Sequence, residues 1–249
     1  MISRRAFLRD TGLTLAALGV APPDTSSESA PPVPTQLIVV FQRGAADGLS
    51  MVVPYTEPAY YRHRPSIAVP PPGSRGGALD LDGRFAFHPR LAPLVPLYRA
   101  GQLAVVHAGR PAAATQSHLE AQDAVDGILG RVQRAAAAAG SEVTIVDSAH
   151  WDDHVDHGGV DGRFASRLDA LATTLSGIVA ESGGRWRDTI VVTMTEFGRA
   201  LKENARGGTD HGSGSVMLIM GGAVNGGRIY GNATTGLVDV LSEFTPWRC

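Results

Sequence analysis

Cysteine is almost missing: one residue, Cys249, closes a chain of 249. A single thiol excludes an internal disulfide and any cysteine-based metal site, so a bound metal must be held by imidazole and carboxylate groups. No sign of charge dominates, because 22 Lys+Arg stand against 24 Asp+Glu; the clustered positive charge that marks a nucleic-acid partner is lacking. There is no internal repeat. Nor does a Gly-x-Gly-x-x-Gly follow the first strand candidate, since Gly44 and Gly48 lack that spacing, and a dinucleotide-binding enzyme is set aside. The N-terminal apolar run, Thr11–Ala21, is too short to cross a bilayer as a mature helix. What is present, 43% hydrophobic and 18% charged residues, is the composition of a globular protein and excludes disorder throughout.

The N-terminus carries an address. Ser3-Arg4-Arg5-Ala6-Phe7-Leu8-Arg9 followed by the weakly apolar run reads as a twin-arginine signal over residues 1–21, with cleavage after Ala21 or nearer Ala30. This implies the twin-arginine export machinery as a partner, a periplasmic or extracellular destination and no stable membrane span after cleavage. That route carries folded, often cofactor-loaded proteins, which favours a metalloprotein. Residues 22–35 are rich in Pro, Ser and Thr without apolar periodicity and read as a linker. A single α/β domain is expected over residues 36–249.

Within it, Leu37–Phe41, Leu103–His107, Val143–Asp147, Thr189–Met194 and Val216–Met220 are continuously apolar, the pattern of strands covered on both faces. The pattern predicts a mostly parallel sheet sandwiched by helices, with helices over Pro89–Ala100, Ser117–Leu129 and Arg163–Glu181. In the last, Phe164, Leu168, Leu171, Leu175 and Ile178 form a stripe at intervals of three and four, suited to covering a sheet. The tract Ala135–Ala139 with Gly140 reads as a helix end or a spacer.

In an open α/β sheet ligands collect beyond the carboxyl ends of the strands, and here those segments are polar. Strand one leads into Arg43 to Gly48 with Asp47, strand four into Thr195 to Arg199 with Glu196, and Asp210-His211 precedes strand five. Strand three leads into residues 150–157, where three His and three Asp occupy eight positions. Carboxylate and imidazole at these spacings suit a divalent cation, pairing Asp152 with His154 or Asp153 with His157. Each segment has a plainer reading: Asp47 as a helix cap, Glu196 paired with Arg199 on a helical turn, Asp210-His211 as a turn, Ser117 as an N-cap with Glu120 three residues on.

The ordered landmarks Phe41-Gln42-Arg43-Gly44-Ala45-Ala46-Asp47-Gly48-Leu49-Ser50 with Pro54-Tyr55, Phe87-His88-Pro89, Ser117-His118, Trp151-Asp152-Asp153-His154, Thr195-Glu196-Phe197-Gly198-Arg199, Gly208-Thr209-Asp210-His211-Gly212 and Gly226 to Gly231 resemble the exported bacterial family called domain of unknown function 1501. That family is similar to the alkaline phosphatase and sulfatase superfamily. The resemblance implies an alkaline-phosphatase-like α/β fold and a metal-dependent hydrolase acting on a small phosphate or sulfate ester with zinc, manganese or calcium. It implies Asp47, Asp152, His154, Glu196 and His211 as metal ligands, Asp210 as a substitute ligand, Ser117 in the nucleophile's place, and Arg199 or Arg43 steadying the anion. Phe197 stands where relatives carry a metal-binding histidine, so one ion site lacks a ligand. Only residues 124–150 separate the Ser-His and Trp-Asp-x-His landmarks, which marks a shortened member. A missing piece of sheet is expected to leave the Leu168–Ile178 stripe underburied. The other reading is a noncatalytic or degenerate member that binds a cell-surface ligand.

Overall fold

The computed structural model of the protein describes residues 35–109 and 117–230. The proposed export signal, residues 22–34 of the linker, Gly231 and the segment up to Cys249 lie outside the described residues. Strands follow in the order β1 (Gln36–Gln42), β2 (Val52–Val53), β3 (Leu79–Asp80), β4 (Ala86–Phe87), β5 (Leu103–Gly109), β6 (Glu142–Ser148), β7 (Thr189–Met194), β8 (Gly198–Glu203), β9 (Thr209–Gly212), β10 (Ser215–Met220) and β11 (Arg228–Tyr230). Six of them form the main sheet in the order β11-β5-β10-β7-β1-β6. Each of the five apolar runs identified in the sequence is one of its strands.

The sheet is mixed and mostly parallel. β1 pairs in parallel with β6 and β7, and β11 with β5, whereas β10 is antiparallel to both its neighbours. A parallel return needs a crossover of a dozen or more residues, usually a helix. Between β7 and β10 the chain instead forms the β8–β9 antiparallel ribbon, so it re-enters the sheet running the other way.

Alternation along the strands divides the core by face. Ile38, Val40, Val105, Val191, Leu218 and Met220 point to the face covered by the helix Arg163–Ser182, against its Phe164, Leu168, Leu171 and Leu175. Leu37, Val39, Phe41, Ala104, Ile190 and Ile219 point to the opposite face, against Val125, Leu129 and Val132 of the helix His118–Ala138. The stripe is thus not underburied: Leu168 and Leu175 are 0% and Leu171 1% exposed, each contributing about 1.5–3 kcal/mol. The strands present suffice to cover it, and only Ile178 is left partly buried.

Helix lengths follow local chemistry. Ser117 caps the helix His118–Ala138 by accepting from the Glu120 N–H at 3.4 Å, and the alanine tract carries the helix to Ala138 before Gly140 takes a φ of 76°. The stretch Pro89–Ala100 is not one α-helix. It forms a 3-10 segment at Pro89–Leu94 and a short α-helix at Val95–Arg99, because Pro93 and Pro96 have no N–H to give to a continuous ladder. No helix among the described residues is long and apolar enough to cross a membrane.

Candidate metal centre

Three separate segments bring imidazole and carboxylate groups together. His118 opens its helix directly after the Ser117 cap. Asp152 and His154 lie in the loop after β6, and His211 lies in β9. His154 Nε2 is 3.0 Å from His211 Nε2 and 3.1 Å from Asp152 Oδ1, while His211 Nε2 is 3.2 Å from the same Oδ1. His118 Nε2 faces the other oxygen, Asp152 Oδ2, at 3.7 Å. Ligand atoms of His118, Asp152 and His211 all lie within 4.8 Å of one another.

Backbone crowding fixes these loops. A Cβ at Gly44 would lie 2.6 Å from Asp152 N, and one at Gly208 would lie 2.3 Å from His154 C. Gly44 also has a φ of 117°, a region that disfavours side-chain-bearing residues. The loop after β1 is gripped from both sides. Glu196 accepts from the Gly44 and Ala45 N–H groups at 3.0 and 3.1 Å. Arg199, 0% exposed, donates to the Gly44, Ala45 and Thr209 carbonyls, to the Trp151 carbonyl and to Asp152 Oδ1.

Charge follows from these contacts. Burial pushes the Asp152 carboxyl up, but bonds from His211 and Arg199 overcome it and hold it well below the usual carboxylate range. His211 is lowered, first by burial and then by Arg199 and the neighbouring histidines, with Asp152 opposing. Asp210 is lowered chiefly by the bond from Asn204.

Not every sequence candidate joins the cluster. Asp47 is buried and paired with Arg64, at 2.5 Å from Nη1 to Oδ2 and 3.0 Å from Nη2 to Oδ1, with His157 Nε2 at 3.2 Å. It also caps the short helix Gly48–Met51, as its plainer reading anticipated. The guanidinium overcomes the cost of burial and holds Asp47 far below the ordinary carboxylate range. Glu196 serves the loop backbone, and Arg199 reaches the cluster only through Asp152. Of the two pairings in residues 150–157, Asp152 with His154 converges. Asp153 turns inward to Arg167, and His157 to Asp47. Ser117 stands beside His118 as a cap, and Asp210 approaches the far side of the His154 ring, at 3.3 Å from Nδ1.

Sequence reasoning missed two participants. In the sequence His118 stands out only as the neighbour of the Ser117 cap in the Ser117-His118 landmark. Asn204, which bonds both Asp210 Oδ1 and the His154 carbonyl, carried no signal beyond a turn-prone composition. Phe197, 1% exposed, packs its ring against His118 and His211 at 4.9 and 4.5 Å between centroids and gives the cluster an apolar floor.

Residues 109–241 match the family described as protein of unknown function (DUF1501). The chain belongs to this family. The DUF1501 match covers more than half of the chain and includes His118, Asp152, His154, Asp210 and His211, while Asp47 lies before it. Comparison with curated proteins and with solved structures gave no match.

Proposed function

We propose that this DUF1501 protein is an exported, metal-dependent hydrolase-like protein acting on small phosphate or sulfate esters. The observation that carries the reading is the convergence of donor atoms. His154 Nε2, His211 Nε2 and Asp152 Oδ1 stand 3.0–3.2 Å apart, just inside the roughly 3.3–3.6 Å edge of a tetrahedral site with bonds of about 2.0–2.2 Å. His118 Nε2 is buried with no hydrogen-bond partner among the described residues, a cost of about 1–3 kcal/mol for a polar group left without a partner. A divalent cation held by Asp152 and His211 with His154 or His118 answers these donors; the ligand atoms of His118, Asp152 and His211 all lie within 4.8 Å of one another. Zinc fits the donor set best, because three imidazoles and one carboxylate are borderline-soft ligands, whereas calcium prefers oxygen.

When bound, such an ion supplies Lewis-acid polarisation of the ester and neutralisation of developing charge. The protein's own groups do the rest. Arg199 holds Asp152 and the loop after β1 in register. Phe197 seals the inner side of the cluster from water. The start of the helix His118–Ala138 presents backbone N–H groups and a positive dipole end, which favours the ester's anionic group there. Ser117 is the candidate nucleophile; its capping bond uses an oxygen lone pair and is compatible with attack.

Phe197 supports a second reading, a noncatalytic binder of a cell-surface ligand, because an apolar ring fills the place of a second ion's ligand. Elemental analysis of the folded protein, with aryl phosphate and aryl sulfate assays, separates the two. One ion per chain and turnover abolished by Asp152→Ala supports the hydrolase. A stoichiometric ion with no turnover of either ester supports the binder, and no ion at all refutes both.

A further inference from the structure

We infer that Asp210 and Asn204 form a positioning pair that keeps the His154 proton on Nδ1 and so turns an unprotonated Nε2 into the donor cluster. This rests on the metal reading above and deepens it, assigning Asp210 to the outer layer of the centre rather than to the ion.

Asp210 Oδ1 lies 3.3 Å from His154 Nδ1. An ionised carboxylate has no proton to give, so the hydrogen of this contact belongs to the ring. A neutral imidazole protonated at Nδ1 has only a lone pair at Nε2. That lone pair faces Asp152 Oδ1, another acceptor, at 3.1 Å and His211 Nε2 at 3.0 Å. The two acceptors are held at that separation by the proton of His211 Nε2 or by a cation that takes its place. The outer carboxylate thus leaves a lone pair on His154 Nε2 for a metal, in the manner of carboxylate–histidine–metal chains. The two nitrogens of an imidazole point in divergent directions, so an oxygen on the Nδ1 side does not share an ion bound at Nε2.

Asn204 locks the arrangement. Its Nδ2 donates to Asp210 Oδ1 at 3.0 Å and to the His154 carbonyl at 3.0 Å. Its Oδ1 accepts from the Arg206 and Gly208 N–H groups at 2.9 and 3.2 Å, closing the turn between β8 and β9. One amide therefore fixes the carboxylate and the backbone of the residue that it orients. Gly208 is what lets the two segments meet, since a Cβ there would strike the His154 backbone. Asp210 is 63% exposed, and burial does not explain its placement.

Two measurements test this on the folded chain. Long-range proton–nitrogen NMR of the metal-free protein should show His154 as the Nδ1–H tautomer, with that signature lost in Asp210→Ala and weakened in Asn204→Ala. Zinc titration against a chelator should show both variants binding about 10–100-fold more weakly than wild type. The visible spectrum of cobalt-saturated Asp210→Ala should match wild type, because no ligand to the ion has been lost. An Nε2–H tautomer in the wild-type chain, unchanged zinc affinity in Asp210→Ala, or an altered cobalt spectrum overturns the inference. If the wild type binds no zinc, the metal reading fails, and the tautomer still decides for or against the positioning pair on its own.

Discussion

Replacing Asp47 by alanine separates the two roles that the sequence allowed for it. In the structure its carboxylate is the partner of a fully buried guanidinium: Arg64 donates to both its oxygens, to Ser50 Oγ at 2.9 Å and to the Ala200 and Leu201 carbonyls at 2.9 and 2.8 Å. Removing one member of such a pair leaves an uncompensated charge in the interior and costs about 3–5 kcal/mol. At about 2–4 °C per kcal/mol for a domain of this size, the melting temperature should fall by roughly 6–20 °C. Losing the cap on Gly48–Met51 adds to this. The assay is denaturant unfolding of wild type, Asp47→Ala, Arg64→Ala and the double variant, with metal content measured on each. The double variant should lose less than the sum of the single losses, because its second substitution removes a charge already left unpaired. Bound metal per folded chain should not change. Stability within about 1 kcal/mol of wild type, together with loss of the ion, would refute the reasoning and return Asp47 to the metal.

Acid should erode stability in two stages. His88 and His107 are buried, and burial lowers them from 6.5 to about 4 and about 3; the unfolded chain takes up their protons first, so their contribution is complete above about pH 6.5 and is lost progressively down to pH 3–4. Asp47 and Asp152 are lowered and contribute above their unfolded value of 3.8, with that contribution lost below it; urea unfolding from pH 8 to 4 should show the first stage, and stability flat across that range would contradict it. Gly44→Ala should lower stability by more than the 1–3 kcal/mol typical of backbone strain, since its Cβ meets Asp152 N, and should weaken zinc binding in the same titration. Leu168→Ala should cost about 2–5 kcal/mol without altering metal stoichiometry, as measured by calorimetry and elemental analysis.

The core was legible where one signal sufficed. Continuous apolar runs marked five strands, and the Phe164–Leu175 spacing marked a helix that needs a sheet beneath it. Strand direction was not legible, because a run such as Val216–Met220 reads the same in either sense; the return path decides it, and the β8–β9 ribbon lies in a stretch read as turns. At the site, carboxylate and imidazole density located the loop after β6 but did not sort it. Tight turns, with the Asp153 N–H donating to the Trp151 carbonyl and the His154 N–H to the Asp152 carbonyl, leave Asp152 and His154 facing the cluster while Asp153 turns to Arg167. His118 escaped notice because a histidine after a serine cap has a sufficient local explanation. The long-range ties of Arg64 and Arg199 to backbone carbonyls leave no trace in the sequence, since any distant loop can offer a carbonyl.

The donor atoms belong to segments far apart along the chain, with 59 positions separating Asp152 from His211. In a protein whose lone thiol rules out an internal disulfide, an ion seated among them, as proposed, would be a removable clasp, closing long loops much as a disulfide would. At a hundred times its dissociation constant it would add about 2.7 kcal/mol to the folded state. Loading with cation would then decide how long the fold survives as well as whether the site is complete.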